Sequence, residues 1–166
     1  MRLYAYVGNQ NLKALPHSTH RQLIRCDADA ISFLQLETDI RKPFQVTTTF
    51  IVDADGLLWI ADRHSEHIAC ARGGSVQAAG EMTFTGANQR ILEIEVSNLS
   101  TGYCPKPECW GAVEQALKIC ELPHGDALTT AYDFRRCVEC GMRNLVKDSC
   151  FECSVCGGEL PLQWNF

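Results

Sequence analysis

Val46-Thr47-Thr48-Thr49-Phe50-Ile51-Val52-Asp53-Ala54-Asp55-Gly56-Leu57-Leu58-Trp59-Ile60-Ala61 is the stretch on which the reading of the fold turns. Val46, Thr48, Phe50 and Val52 alternate onto one face of a strand, and Leu57, Trp59 and Ala61 onto one face of another. Between them Asp53-Ala54-Asp55-Gly56 is a turn, with glycine where a positive φ is needed. The stretch is a β-hairpin, and the fold is therefore built on an antiparallel sheet.

A second hairpin follows. Glu81 to Thr85 is β-prone, Gly86-Ala87-Asn88-Gln89 turns the chain, and Leu92, Ile94 and Val96 alternate with Glu93 and Glu95. The glutamates are expected to face solvent, with the aliphatic side chains inward. Upstream, Leu3 to Val7 reads as a short strand ended by Gly8-Asn9. Residues 9–22, with Pro16, His17 and His20, read as loop. Asp27 is placed to cap a helix over about 28–38, with Ile31, Phe33, Leu34 and Leu36 as its apolar stripe. After Pro105 and Pro107, the spacing of Trp110, Val113, Ala116, Leu117 and Cys120 predicts an amphipathic helix ending near Leu122-Pro123-His124-Gly125. The fold class is α+β: an antiparallel sheet of four or five strands covered by one or two helices, over residues 1–126.

Residues 133–166 have a different character. Cys137-Val138-Glu139-Cys140-Gly141 and Cys153-Ser154-Val155-Cys156-Gly157 are two C-x2-C knuckles, each closed by glycine and separated by twelve residues. Two residues between thiolates allow a tight turn to place both sulfurs about 2.3 Å from one ion. The glycine lets the backbone fold back so that its amides can bond the sulfurs. Cys137, Cys140, Cys153 and Cys156 are thus the expected metal ligands, and the segment reads as a zinc ribbon. Four thiolates fill a tetrahedral Zn2+ and leave no open position, so one structural ion is expected. Cys150 lacks a knuckle glycine and is left out of the ligand set. The other cysteines of the ten (Cys26, Cys70, Cys104, Cys109, Cys120 and Cys150) are expected to be buried thiols.

Composition narrows the function. Hydrophobic residues are 46% and charged residues 21% of the 166, as in a folded globular protein, and the net charge of −5 offers no general attraction for nucleic acid or an anionic membrane. No apolar run approaches the roughly 18 residues of a membrane span, and the first residues lack a signal-peptide pattern. A cytoplasmic setting is expected. Within 133–166, Arg135, Arg136, Arg143 and Lys147 face Asp133, Glu139, Asp148, Glu152 and Glu159, a net of −1. A nucleic-acid-binding ribbon normally shows a basic patch with aromatics, so that partner is the less favoured one.

The densest cluster of small and polar residues is Arg63-His64-Ser65-Glu66-His67, Gly73-Gly74, Ala78-Ala79-Gly80-Glu81 and Ser97-Asn98-Leu99-Ser100-Thr101-Gly102-Tyr103-Cys104-Pro105. The order HS, Gly-Gly, AAGE and SN-x-S-x-x-Y-x-P resembles an uncharacterised domain of plant IQ-motif calmodulin-binding proteins and some bacterial toxin-like proteins. There the last element usually reads SGHYxP, and this chain departs from it. The resemblance covers residues 64–105 and implies a fold more than an activity. The chain has no IQ motif, so calmodulin is not implied.

The same residues admit an enzymatic reading. Zinc-dependent deaminases use H-x-E with a later cysteine pair. His64-Ser65-Glu66 with Cys104 and Cys109 follows that order, although four residues separate these cysteines instead of two and Gly73-Gly74 interrupts the helix that should follow H-x-E. A second zinc could sit there, and His64, Glu66, Tyr103 and Cys104 are the candidate catalytic residues. Cys104 beside His64 or His67 could also form a thiol–imidazole pair, and the His17/His20 or His64/His67 pairs could bind metal. No phosphate-binding glycine loop, G-x-S-x-G or HExxH is present. The sequence therefore reads as a non-catalytic, protein-binding or adaptor module with a structural ribbon, against a deaminase-like enzyme or a nucleic-acid-binding ribbon.

Overall fold

The computed structural model describes residues 2–14 and 20–166. Pro16 and His17 lie outside the described residues. The architecture is α+β. Helices are α1 (Gln10–Ala14), α2 (Asp27–Glu37), α3 (His67–Cys70) and α4 (Trp110–Ile119), and strands are β1 (Arg21–Ile24), β2 (Phe44–Asp53), β3 (Leu58–Asp62), β4 (Val76–Ala87), β5 (Arg90–Ser97), β6 (Asp133–Arg136) and β7 (Arg143–Val146). The first five strands form one antiparallel sheet in the order β1-β3-β2-β4-β5, and β6 and β7 form a second, two-stranded sheet.

The first hairpin turns as its residues dictate. Gly56 has φ +83, its amide donates to the Asp53 carbonyl, and the Asp53 carboxylate accepts from the amides of Asp55 and Leu57. The second hairpin is tighter than expected. β4 runs on to Ala87, and the turn is only Asn88-Gln89, both with positive φ (51 and 60). That is the pair of left-handed residues a two-residue hairpin needs to match the strand twist.

Leu92 does not join Ile94 and Val96 inside; it is exposed. The register passes from Thr85↔Glu93 to Gly86↔Ile91, leaving Leu92 as the extra residue of a bulge. Glu93 and Glu95 face solvent as expected.

Upstream, the expected strand Leu3–Val7 is extended but forms no ladder. Tyr4 exchanges backbone bonds with Val76, whereas Val7 donates to the Gly102 carbonyl. The loop expected over 9–22 contains α1 and the start of β1, a four-residue strand whose existence depends on pairing with β3. Asp27 is the first residue of α2 and does not cap it. Cys26 occupies the cap position without a side-chain bond, and Asp29 instead accepts from the Arg25 amide at 2.9 Å. α2 buries Ala30, Phe33 and Leu34, while Leu36 faces solvent. α4 follows a 3-10 turn at Pro107–Cys109 and buries Ala112, Val113, Ala116 and Leu117 against β2, β3 and β4. It ends where Glu121 turns left-handed (φ +55) and Leu122 donates back to the Leu117 carbonyl.

Phe50, Ile60, Met82 and Phe84 lie at the centre of the main core. A second small cluster holds Cys137, Cys153 and Leu160, with Val146 and Phe151 beside it. All ten cysteines are free. Cys70, Cys104, Cys109 and Cys120 are buried as expected, but Cys26 and Cys150 are exposed. Cys26 is at the helix cap and Cys150 closes a tight turn onto Lys147, both surface positions.

The chain entering β6 and the C-terminal tail are both tied down by side-chain bonds to backbone. Asn98, fully buried, binds both backbone groups of Tyr132 at 2.7 and 2.8 Å, and Asn165 binds both backbone groups of Arg136 at 2.8 Å. Between them the Arg135 guanidinium donates to the carbonyls of Phe134, Pro161 and Leu162. Trp164 then donates to the Cys104 carbonyl at 2.8 Å and packs edge-on to Tyr4. The C-terminal residues are thus bonded both to the small sheet and to the larger unit.

Candidate metal centre

The two knuckles are built alike. Cys137 N–H donates to the Met142 carbonyl and Gly141 N–H to the Cys137 carbonyl. Cys153 N–H donates to the Gly158 carbonyl and Gly157 N–H to the Cys153 carbonyl. Gly141 and Gly157 have φ +75 and +73, the left-handed backbone that closes each turn. The flanking pairs match as well: Arg136 opposes Arg143 around the first knuckle and Glu152 opposes Glu159 around the second. In each, the first cysteine is buried and the second exposed.

The four sulfurs lie within 4.8 Å of one another, so the cluster could hold one metal ion. Cys137 and Cys156 are 3.5 Å apart and Cys140 and Cys153 3.6 Å. A disulfide needs about 2.05 Å. A tetrahedron with metal–sulfur bonds of about 2.3 Å has edges of about 3.8 Å, close to what is seen. The donor set therefore fits a four-thiolate ion. Electrostatics point the same way. The amides of Cys156 and Val155 hold the Cys153 thiol down to about 6. Cys156 takes a bond from the Gly158 amide, yet the sulfurs of Cys137, Cys140 and Cys153 push it up to about 12. Four crowded sulfurs resist joint ionisation, and a divalent cation is what relieves that repulsion. Cys150 sits in the Lys147–Cys150 turn, outside this group.

Asn144 was not legible as part of the site. It is 5% exposed; its amide nitrogen donates to Cys153 Sγ at 3.5 Å and to the Met142 carbonyl, and its oxygen accepts from Ser154 N and Oγ. One side chain therefore ties a ligand sulfur of the second knuckle to the end of the first. No sequence motif marks it. Asn144→Ala is expected to weaken metal retention by about 10- to 100-fold, read by competition with a chromophoric chelator.

On the 100–105 side, the Tyr6 ring packs edge-on to Tyr103 at 5.6 Å, and burial, then the charge of Glu66, raises the Tyr6 hydroxyl above its ordinary pKa. Tyr103 and Cys104 are 0% exposed, so neither side chain opens onto a cleft. Their polar groups are engaged with the backbone. Tyr103 donates to the Gly74 carbonyl at 2.6 Å, and Cys104 Sγ to the Thr101 carbonyl. Burial pushes the Cys104 thiol up to about 12, against the charges of Arg143 and Arg136, which is the reverse of an activated nucleophile. His64 and Glu66 are exposed, with the His64 amide on Asp62 Oδ1. Among the described residues, the C-terminal cysteines are the one group of three or more His, Cys, Asp or Glu side chains that converge for a metal. His64, Cys104 and Cys109 are not brought together as a second zinc site.

The remaining motif residues hold backbone. Asn98 binds Pro105 and Tyr132, Thr49 donates to the carbonyls of Arg63 and Ser65, and His67 Nε2 lies 2.9 Å from the Gly80 carbonyl, which it reaches as the Nε2–H tautomer. Burial lowers the His67 imidazole below its ordinary 6.5, against the Gly80 bond and the charges of Glu66 and Glu81. As pH falls through 6.5 the unfolded chain takes up a proton that the folded chain refuses. This group's contribution is thus intact above 6.5 and declines below it. Urea midpoints are expected to fall less between about pH 7.5 and 5.5 in His67→Gln than in the wild type.

Compared with protein-family models, curated proteins and solved structures, the chain matches none. No family match supports the resemblance of residues 64–105. No helix among the described residues is long and apolar enough to cross a membrane.

Proposed function

We propose that this chain is a zinc-dependent, non-catalytic protein-binding or adaptor module, with an α+β unit over 1–126 and a ribbon over 133–166. The carrying observation is the convergence of four cysteine sulfurs within 4.8 Å of one another. Cys137, Cys140, Cys153 and Cys156 would hold zinc as thiolates. The ion supplies charge neutralisation and crosslinks the two knuckles, and it leaves no coordination position for a substrate or water. Supporting the non-catalytic reading, Tyr103, Cys104 and His67 are committed to backbone carbonyls. Against nucleic acid as the partner, Arg135 and Arg143 donate to backbone carbonyls and Arg136 stacks over Phe166.

The test sets catalysis against binding. Ammonia release from nucleosides and from single-stranded DNA is expected to stay at the uncatalysed rate with the zinc-loaded chain. Turnover that is abolished by Glu66→Gln would instead establish the deaminase-like enzyme. Chemical crosslinking in the native cell is expected to join the chain to a protein and not to nucleic acid.

A further inference from the structure

We propose that the knuckle end of the ribbon docks a basic segment of a partner protein in which aliphatic side chains alternate with lysine or arginine. This rests on the binding reading above and gives it a surface. Val138 is 72% exposed, Val155 62% and Met142 43%. Val138 lies between Cys137 and Cys140, and Val155 between Cys153 and Cys156. Because the sulfurs of these cysteines are within 4.8 Å, both valines belong to the metal end of the ribbon. Ligation asks only that these positions turn, and a solvated turn favours polar residues. Aliphatic side chains here are surplus to the metal site.

Charge decides what covers them. Glu139, Glu152 and Glu159 are all exposed around the knuckles, and the Glu139 carboxylate lies 3.9 Å from Cys156 Sγ. The arginines that the sequence sets against them are drawn into contacts within the chain. Arg135 is 7% exposed and bonds the Pro161 and Leu162 carbonyls, Arg136 lies over the Phe166 ring at 5.2 Å, and Arg143 donates to the Val7 carbonyl at 2.6 Å. Lys147 is in the turn at the far end of β7. Arg135 is thus buried and Arg136 and Arg143 are half-buried beside the first knuckle, which leaves the exposed charge next to the aliphatic side chains, above all at the second knuckle, as carboxylate. A phosphate backbone would meet those carboxylates. A second copy would bring the same acidic rim against itself, since a twofold interface joins identical patches. A basic segment complements the rim, which governs encounter and partner choice, while the aliphatic centre supplies affinity.

The experiment titrates the full-length, zinc-loaded, 15N-labelled chain with three synthetic peptides: valine/leucine alternating with lysine, the same aliphatics alternating with glutamate, and lysine alternating with serine. Amide shifts at 138–142 and 153–158 are expected with the first alone. Val138→Ser/Val155→Ser and, separately, Glu152→Lys/Glu159→Lys are expected to weaken it at least about tenfold while each keeps its zinc. If the valine variant loses metal, the glutamate variant decides. No shift with any peptide at millimolar concentration, equal shifts with the lysine–serine or glutamate peptide, or self-association abolished by the valine variant overturns the proposal. Shifts confined to another place, such as the cleft of about 410 Å³ lined by Arg2, Lys106 and Trp164, overturn this surface and leave the binding reading standing. Turnover lost on Glu66→Gln ends that reading without touching the peptide result.

Discussion

Cys153→Ala is expected to abolish tight metal retention and to melt the ribbon while the five-stranded unit stays folded. The ribbon's buried cluster consists of Cys137, Cys153 and Leu160, two of them ligands, with only Val146 and Phe151 partly buried against it. So small a core does not offset the entropy of ordering the segment. A four-thiolate zinc contributes on the order of 10 kcal/mol in segments of this size. Loss of one thiolate also frees the Ser154 and Asn144 contacts that aim the second knuckle. The main core shares none of these residues. Amides of 134–160 are expected to lose hydrogen-exchange protection while those of β2 and β4 keep theirs, with zinc per chain falling toward zero. Cys150→Ser, in the turn outside the cluster, is the matched control and is expected to keep its metal. A Cys153→Ala protein that retains both zinc and stability would show that the ligand set is different.

Gly80→Ala is expected to destabilise the larger unit by about 3 kcal/mol or more. Gly80 sits inside β4 opposite Phe50. A methyl group there would overlap the Ser97 carbonyl and come within 3.0 Å of Asn98 Cα, both backbone atoms that cannot swing aside. To admit it, the chain at 97–98 must retreat from β4, which would displace Asn98 from Pro105 and Tyr132. The Gly80 carbonyl is also the partner of His67. One methyl group thus strains a strand, a buried clamp and a histidine anchor together. Urea unfolding of the zinc-loaded protein measures it. A midpoint within error of the wild type would mean that strand and loop are not so closely apposed.

The parts legible in the sequence are those whose cause is local. Asp53 to Gly56 carries its own turn chemistry, and the two C-x2-C-G knuckles carry their own spacing. Alternation placed the β2 face, but at β3 Leu58 and Ile60 are buried while Leu57 is exposed, and no periodicity signals the bulge at Leu92, where one extra residue reverses the face. What was missed depends on distant partners. β1 is only four residues long and is a strand because β3 lies beside it. Asn98, Asn144 and Asn165 read as ordinary polar residues, yet each replaces a strand or amide partner for backbone far away in sequence. His64-Ser65-Glu66 is the opposite case, a local spacing whose meaning depends on residues far away. Its spacing fits a deaminase, but ligand chemistry requires Cys104 and Cys109 to converge on His64, and the chain uses those cysteines as buried packing groups.

The most direct measurement is zinc per chain by elemental analysis on protein purified without a histidine tag. One zinc per chain is expected, lost in Cys153→Ala and retained in Cys150→Ser. No zinc would contradict the ribbon itself. Two would require a second site outside the four cysteines and contradict the single-centre reading.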